Sequence, residues 1–88
     1  MQPVENFADL LPISMLRAGE LGEVQTVLGT ADLVRHLAEI GLRAGTRLEM
    51  IRPGTTCILR IDGSKLCVRG DELLQVMVMP LPAARHSA

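Results

Sequence analysis

The chain has no tryptophan and no tyrosine, and its single phenylalanine is Phe7. Without aromatic faces it cannot present stacking platforms for single-stranded nucleic acid or a cage for a quaternary ammonium ligand. Lysine is almost as scarce: Lys65 stands alone against eight arginines. Nine basic and ten acidic side chains leave a net charge of −1 with the signs interspersed, so the basic face of a nucleic-acid binder is missing. Two cysteines, Cys57 and Cys67, are too few for a disulfide framework or a four-cysteine zinc site. The longest uncharged run, residues 73–84, has twelve residues and contains two prolines, whereas a membrane span needs about 20. The opening MQPVENFADLLPISM lacks the basic start and apolar stretch of a secretory signal. Together these absences lead to the expectation of a cytoplasmic, soluble protein with reduced thiols, no membrane insertion and no nucleic-acid partner.

What the chain does have is aliphatic. Of its 88 residues, 48% are hydrophobic, led by fourteen Leu, seven Val, five Ile and five Met. That length makes one domain, and a domain of this size buries roughly 60–65% of the surface exposed by its unfolded chain. Residues 1–12 read as a lead-in bracketed by Pro3 and Pro12, with Val4, Phe7, Leu10 and Leu11 at helix-like spacing. Residues 13–79 form the domain, and residues 80–88 a flexible tail.

Within the domain the hydrophobic period switches. Gly22–Leu28 alternates, with Val24, Thr26 and Leu28 on one face, and reads as a strand between glycines. Leu33, Leu37 and Ile40 then repeat at helical spacing. Thr30 or Asp32 can cap that helix, and Gly41 suits its C-terminal turn. Thr46–Arg52 alternates again, with Leu48 and Met50 on one face, and stops at Pro53-Gly54. Cys57–Ile61 and Ser64–Arg69 flank Asp62-Gly63, the preferred pair for a type I′ hairpin turn. In that register Leu59 faces Leu66 and Cys57 faces Val68, while Ile58 faces Cys67 on the other side. A one-residue slip would mix the faces. Cys57 is thus expected in the core and Cys67 outside, too divergent for a disulfide. Leu74–Met79 closes the pattern, with Leu74, Val76 and Val78 inward and Pro80 as the stop. The expected architecture is mainly β: a small five-stranded barrel with one short helix inserted between strands 1 and 2.

At this level of detail the sequence resembles the FeoA family of ferrous iron transport proteins. The carriers are Arg35, Leu37, Ile40, Gly41, Leu42 and Gly45 in the helix and its exit, then the hairpin from Ile58 to Arg69 followed by Asp71 and Glu72. The Gly19–Gly22 approach to the first strand also fits. The resemblance spans residues 13–79; Lys65 and Cys67 depart from a hairpin that is commonly more aliphatic. It implies an SH3-like barrel in the cytoplasm, serving as accessory to the large membrane transporter for ferrous iron (FeoB type), whose cytosolic part carries a GTPase domain. The same module occurs in metal-dependent transcription regulators, which leaves a metal-sensing or metal-binding module as the alternative.

Candidate chemistry is sparse. No Gly-x-Ser-x-Gly elbow, phosphate loop or His-Glu-x-x-His is present, so no enzyme, catalytic residue or cofactor is expected. His36 and Glu39 share a helix face one turn beyond Asp32, but a cation site would need a third ligand that sequence does not name; no metal ligands are assigned. Partner binding is the best-supported class. Arg35, His36, Glu39 and Arg43 gather on and just beyond the helix, where arginine's planar fork suits carboxylates. Met77 and Met79 alternate with the inward residues of the last strand, and methionine adapts readily to protein contacts. Edge strands or Cys67 leave self-association open. A third reading, an SH3-like module binding proline motifs, is not expected, because such grooves are lined by aromatics and the single Phe lies outside the barrel.

Overall fold

A computed structural model describes residues 10–82 of the chain. The helical spacing proposed around Val4 and Phe7, and most of the tail with His86, lie outside the described residues. Among the described residues, six strands form one antiparallel sheet in the order β1-β6-β2-β3-β4-β5. They are β1 (Leu11–Pro12), β2 (Leu21–Val27), β3 (Arg47–Arg52), β4 (Thr56–Ile61), β5 (Ser64–Arg69) and β6 (Val76–Leu81). A 3-10 helix (Ile13–Met15) follows β1, α1 (Ala31–Glu39) joins β2 to β3, and α2 (Gly70–Leu73) joins β5 to β6. The fold is mainly β and barrel-like, with the sheet curled around its aliphatic face.

The hairpin forms in the register expected from its sequence. Cys57 pairs with Val68, Ile58 with Cys67, Leu59 with Leu66 and Ile61 with Ser64. Asp62 and Gly63 both take positive φ, 53° and 82°, as a type I′ turn requires. Cys57 and Leu59 are fully buried, and Cys67 is exposed. In β3, Leu48 and Met50 point into the core as expected.

Helix α1 is held at both ends. Thr30, not Asp32, is its cap: Thr30 Oγ1 accepts the Leu33 N–H at 3.2 Å. At the other end Gly41 has φ 107°. The Gly41 N–H donates to Ala38 O at 3.0 Å, and the Leu42 N–H to Leu37 O at 2.8 Å. Those two bonds are the Schellman pattern, and its accompanying apolar contact is supplied by Leu37 and Leu42, both 0% exposed. The Ile-Gly-Leu run is thus a helix terminator whose flanking leucines enter the core. Thr46 Oγ1 donates to Gly41 O at 2.8 Å and fixes the loop onto β3.

The structure departs from the sequence expectations at four points. Strand β2 does not keep Val24, Thr26 and Leu28 on one face. Val24 pairs with Val78 but Thr26 pairs with Met77, so Gln25 is an inserted bulge residue that reverses the alternation. Val27 therefore turns inward opposite Val76, while Thr26 and Leu28 are exposed. Leu74 is not an inward strand residue; it caps α2, an element not anticipated, and is 52% exposed, while Leu73 takes the core position. Pro80 does not stop the last strand, which continues to Leu81 opposite Leu21. Among the described residues, β1 pairs with β6 only through Leu11–Val78 and Pro12–Met77, and Pro80 lies beyond that short edge, where a residue without an N–H is tolerated. Finally, the sheet has six strands rather than five, because Leu11 and Pro12 add a short edge to β6.

Candidate functional site

The residues singled out from the sequence occupy three places. Arg35, His36 and Glu39 lie exposed on the outer face of α1, opposite the Leu37 stripe. Arg35 Nη1 stands 4.0 Å from Asp32 Oδ1, with both side chains mostly in solvent, where such a pair contributes little. Arg43 lies beyond the Schellman turn. With Arg47, Thr46 and Asp62 it lines an open hollow of about 360 Å³ between that turn and the β4–β5 hairpin. Arg47 is engaged at 3.7 Å by Glu23 from the neighbouring strand. Met77 and Met79 are half-buried on the face of β6 that points away from Val76 and Val78. Their cross-strand neighbours on β2 are Thr26 and Glu23. The α1 residues and Arg43 thus adjoin one another along the chain, whereas the methionines belong to a strand bordered by β1 and β2.

Among the described residues no group of three His, Cys, Asp or Glu side chains is placed to hold a metal ion. No helix of the described residues is long and apolar enough to cross a membrane.

A larger groove of about 600 Å³ opens elsewhere, beside α2. It is lined by Ser14 of the 3-10 helix, Gly54–Thr56 at the β3–β4 turn, Arg69 at the end of β5, and Gly70, Asp71 and Leu74 of α2 and its C-cap. Its wall is tightly fitted. The Gly70 N–H donates to Thr55 O at 2.8 Å. A Cβ on Gly70 would stand 2.7 Å from Gly54 O, a separation that real Cβ atoms do not adopt. Cys57 Sγ donates to the same Gly54 carbonyl at 3.4 Å. The groove has no local sequence signature, because its parts are far apart along the chain and the strand pattern expects Leu74 inside. The adjoining signals were the Pro53-Gly54 turn and the glycine between Arg69 and Asp71.

Comparison with known proteins identifies the fold. The FeoA domain family model matches residues 11–80. No curated protein sequence matches the chain. Among solved structures, an iron uptake regulatory protein (FeoA) superposes with a TM-score of 0.77 at 23% identity, over 82% of this chain and 99% of that one. The FeoA protein of Chlorobium tepidum gives a TM-score of 0.73 at 29% identity, over 82% of this chain and 71% of the other. Stenotrophomonas maltophilia FeoA, solved with zinc and described as a prokaryotic SH3 domain protein possibly acting as a ferrous iron transport activating factor, gives 0.70 at 22% identity, over 84% and 99% of the two chains. The SH3-like architecture, the Arg-x-Leu helix ending in Ile-Gly-Leu and the hairpin running into Arg-Gly-Asp-Glu all fall inside the matched span, and the chain belongs to the FeoA family, which is associated with ferrous iron transport.

Proposed function

We propose that this protein is an accessory of ferrous iron uptake that docks on the cytosolic GTPase-containing part of the membrane iron transporter and biases its conformational states. The observation that carries this reading is the family match over nearly the whole described chain. The activating role suggested for the Stenotrophomonas relative supports it. The chemistry offered by the surface agrees: arginines, adaptable methionines and exposed apolar side chains suit protein contacts. Biasing a transporter requires different affinities for its states, so binding has to depend on nucleotide. Calorimetry against the transporter's cytosolic domain, with and without nucleotide, tests this. Association with a micromolar Kd that changes between nucleotide states is expected; no association at about 50 μM in any state refutes it.

A second reading is a module that binds iron or another divalent cation directly. The zinc held by the Stenotrophomonas relative favours it, and His36 with Glu39 on one face of α1 is the place to look here. Anaerobic ferrous titration of the protein and of His36→Ala separates the two readings. Heat of binding that disappears in the variant supports this second one; heat unchanged by the substitution removes the site from α1.

A further inference from the structure

We propose that the open edge of β5 takes an extended segment of a protein partner as a further antiparallel strand, and that Lys65 and Arg69 select a segment with carboxylates on one face. The inference rests on the docking reading above for the identity of the partner, and on the edge alone for the mode of binding and the chemistry.

Strand β5 ends the sheet: among the described residues it pairs with β4 and with no second strand. Parity fixes which of its backbone groups are spare. A two-residue type I′ turn is closed by a pair that exchanges both hydrogen bonds, so Ile61–Ser64, Leu59–Leu66 and Cys57–Val68 are the bonded pairs of this ladder. The Gly70 N–H, next in the same parity, donates to Thr55 O at 2.8 Å. Lys65, Cys67 and Arg69 therefore turn their backbone groups away from β4. Arg69 caps α2, which engages its carbonyl. The edge is left with the N–H and C=O of Lys65, the N–H and C=O of Cys67, and the N–H of Arg69. All three residues are exposed. An incoming strand meets alternating donors and acceptors with its own, whereas a DNA backbone offers acceptors only. The edge is also built in advance, since the turn and the packing of Leu66 and Val68 on the core hold β5 straight before anything binds.

The side chains of Lys65, Cys67 and Arg69 share the outer face, and that face is cationic. Strands β3 to β5 carry five of the chain's nine basic side chains and one of its ten acidic ones, so the sheet gathers charges that the sequence intersperses. The acidic one, Glu49, is engaged by Arg60 at 3.4 Å, and Arg47 by Glu23 at 3.7 Å. Lys65 stands opposite Arg60. Among the described residues, neither Lys65 nor Arg69 has a carboxylate within 4.0 Å, those of Asp71 and Glu72 included. Like charges directly opposite destabilise a strand pair and opposite charges stabilise it. A second copy of the chain is therefore the wrong occupant, because antiparallel self-pairing about Cys67 sets each Lys65 against the partner's Arg69. Basic side chains on an edge commonly bar such pairing. A segment with carboxylates opposite Lys65 and Arg69 turns the same repulsion into attraction.

The test is a nuclear magnetic resonance titration of the whole isotope-labelled protein. The probes are the end-capped peptide Gly-Glu-Val-Thr-Val-Glu-Gly, whose glutamates fall opposite Lys65 and Arg69 when its threonine faces Cys67, and its counterpart with lysine for glutamate. Shifts over residues 64–69 and slowed hydrogen exchange at the amides of Lys65, Cys67 and Arg69 are expected with the acidic peptide and not with the basic one. N-methylation of the peptide's threonine, whose N–H faces β5, should weaken binding at least tenfold. N-methylation of a valine, whose N–H faces away, should leave it within threefold. The Lys65→Glu, Arg69→Glu double variant should exchange the preference and bind the basic peptide. Cys67→Pro, which removes an edge N–H and leaves the ladder to β4 intact, should abolish binding. Arg35→Glu with Arg43→Glu should leave it within twofold. Absence of localised shifts up to about millimolar peptide, shifts centred on α1 or β6, equal binding of the basic peptide, or indifference to the threonine N-methyl group would each overturn the proposal. So would tighter binding of an oligothymidylate at the same amides, or their broadening with protein concentration alone, which would make a second copy the occupant. The transporter's cytosolic domain is then titrated with the same variants. If it binds the double variant undiminished, the docking reading stands and the edge is refuted. If it binds no form of the protein while the acidic peptide does, the edge stands and the docking reading fails.

Discussion

Two glycines separate steric demands from conformational ones at the scale of single residues. Gly45 has φ 94° and nothing within 4 Å of where a Cβ would sit, so Gly45→Ala encounters only the left-handed backbone, costing about 1 kcal/mol. Gly70 has an ordinary backbone, but a Cβ there meets the Gly54 carbonyl at 2.7 Å. Gly70→Ala should cost about 1–3 kcal/mol and loosen the groove wall, because the obstacle is main chain and cannot rotate away. Urea denaturation of both variants measures the difference, and amide shifts around residues 54–56 should appear only for Gly70→Ala. The cysteines make a second contrast. Cys57 is fully buried and Cys67 exposed. A thiol reagent should therefore modify one cysteine rapidly in the native protein and both after denaturation. Two fast thiols in the native state would contradict the placement of Cys57 in the core.

Among the elements, α1 shows which part of a short helix matters. Its nine residues are marginal alone, and packing through Leu37 holds it. Leu37→Ala should cost about 2–5 kcal/mol. Thr30→Ala should cost about 1 kcal/mol through loss of the cap. Removing the exposed Asp32–Arg35 pair by Asp32→Ala should stay within about 0.5 kcal/mol. Thermal unfolding of the three variants tests that order. The C-terminal end of the same element is readable in the sequence, because a glycine directly after the apolar stripe has local chemistry, whereas at the N-terminal end the sequence offers both Thr30 and Asp32 and the structure selects Thr30. The β4–β5 hairpin was readable for the same reason, since Asp62-Gly63 and the parity of its apolar residues admit one register. Strand β2 departs from the expected alternation because a bulge leaves no mark in composition. Gln25 is an unremarkable polar residue, and only its pairing with β6 reveals that the alternation breaks there. Leu74 departs from its expected inward place because one turn of helix between two strands is too short to show a period.

For the whole molecule, the distinction between site and scaffold follows chain continuity. Arg35, His36, Glu39 and Arg43 could be named from sequence because one helix and its exit carry them. The groove beside α2 could not, since it exists only when the 3-10 helix, one turn and the end of β5 are brought together by the sheet. What brings them together is β6. It pairs Leu81 with Leu21 and Val76 with Val27, and it carries β1 on its other side. A chain ended after Gln75 should consequently lose its cooperative unfolding transition altogether, which circular dichroism against temperature would register. A surviving sharp transition would mean that β2 to β5 suffice. The long reach of that pairing also sets an order of events. The Asp62-Gly63 hairpin closes over a few residues and can form early, but the strand that completes the sheet must find a partner some fifty or sixty positions back along the chain. Folding should therefore proceed on the order of milliseconds to seconds, as for other folds dominated by distant contacts. Throughout that interval the aliphatic face of β2 waits uncovered, and the protein is most open to misassociation just before its last strand arrives.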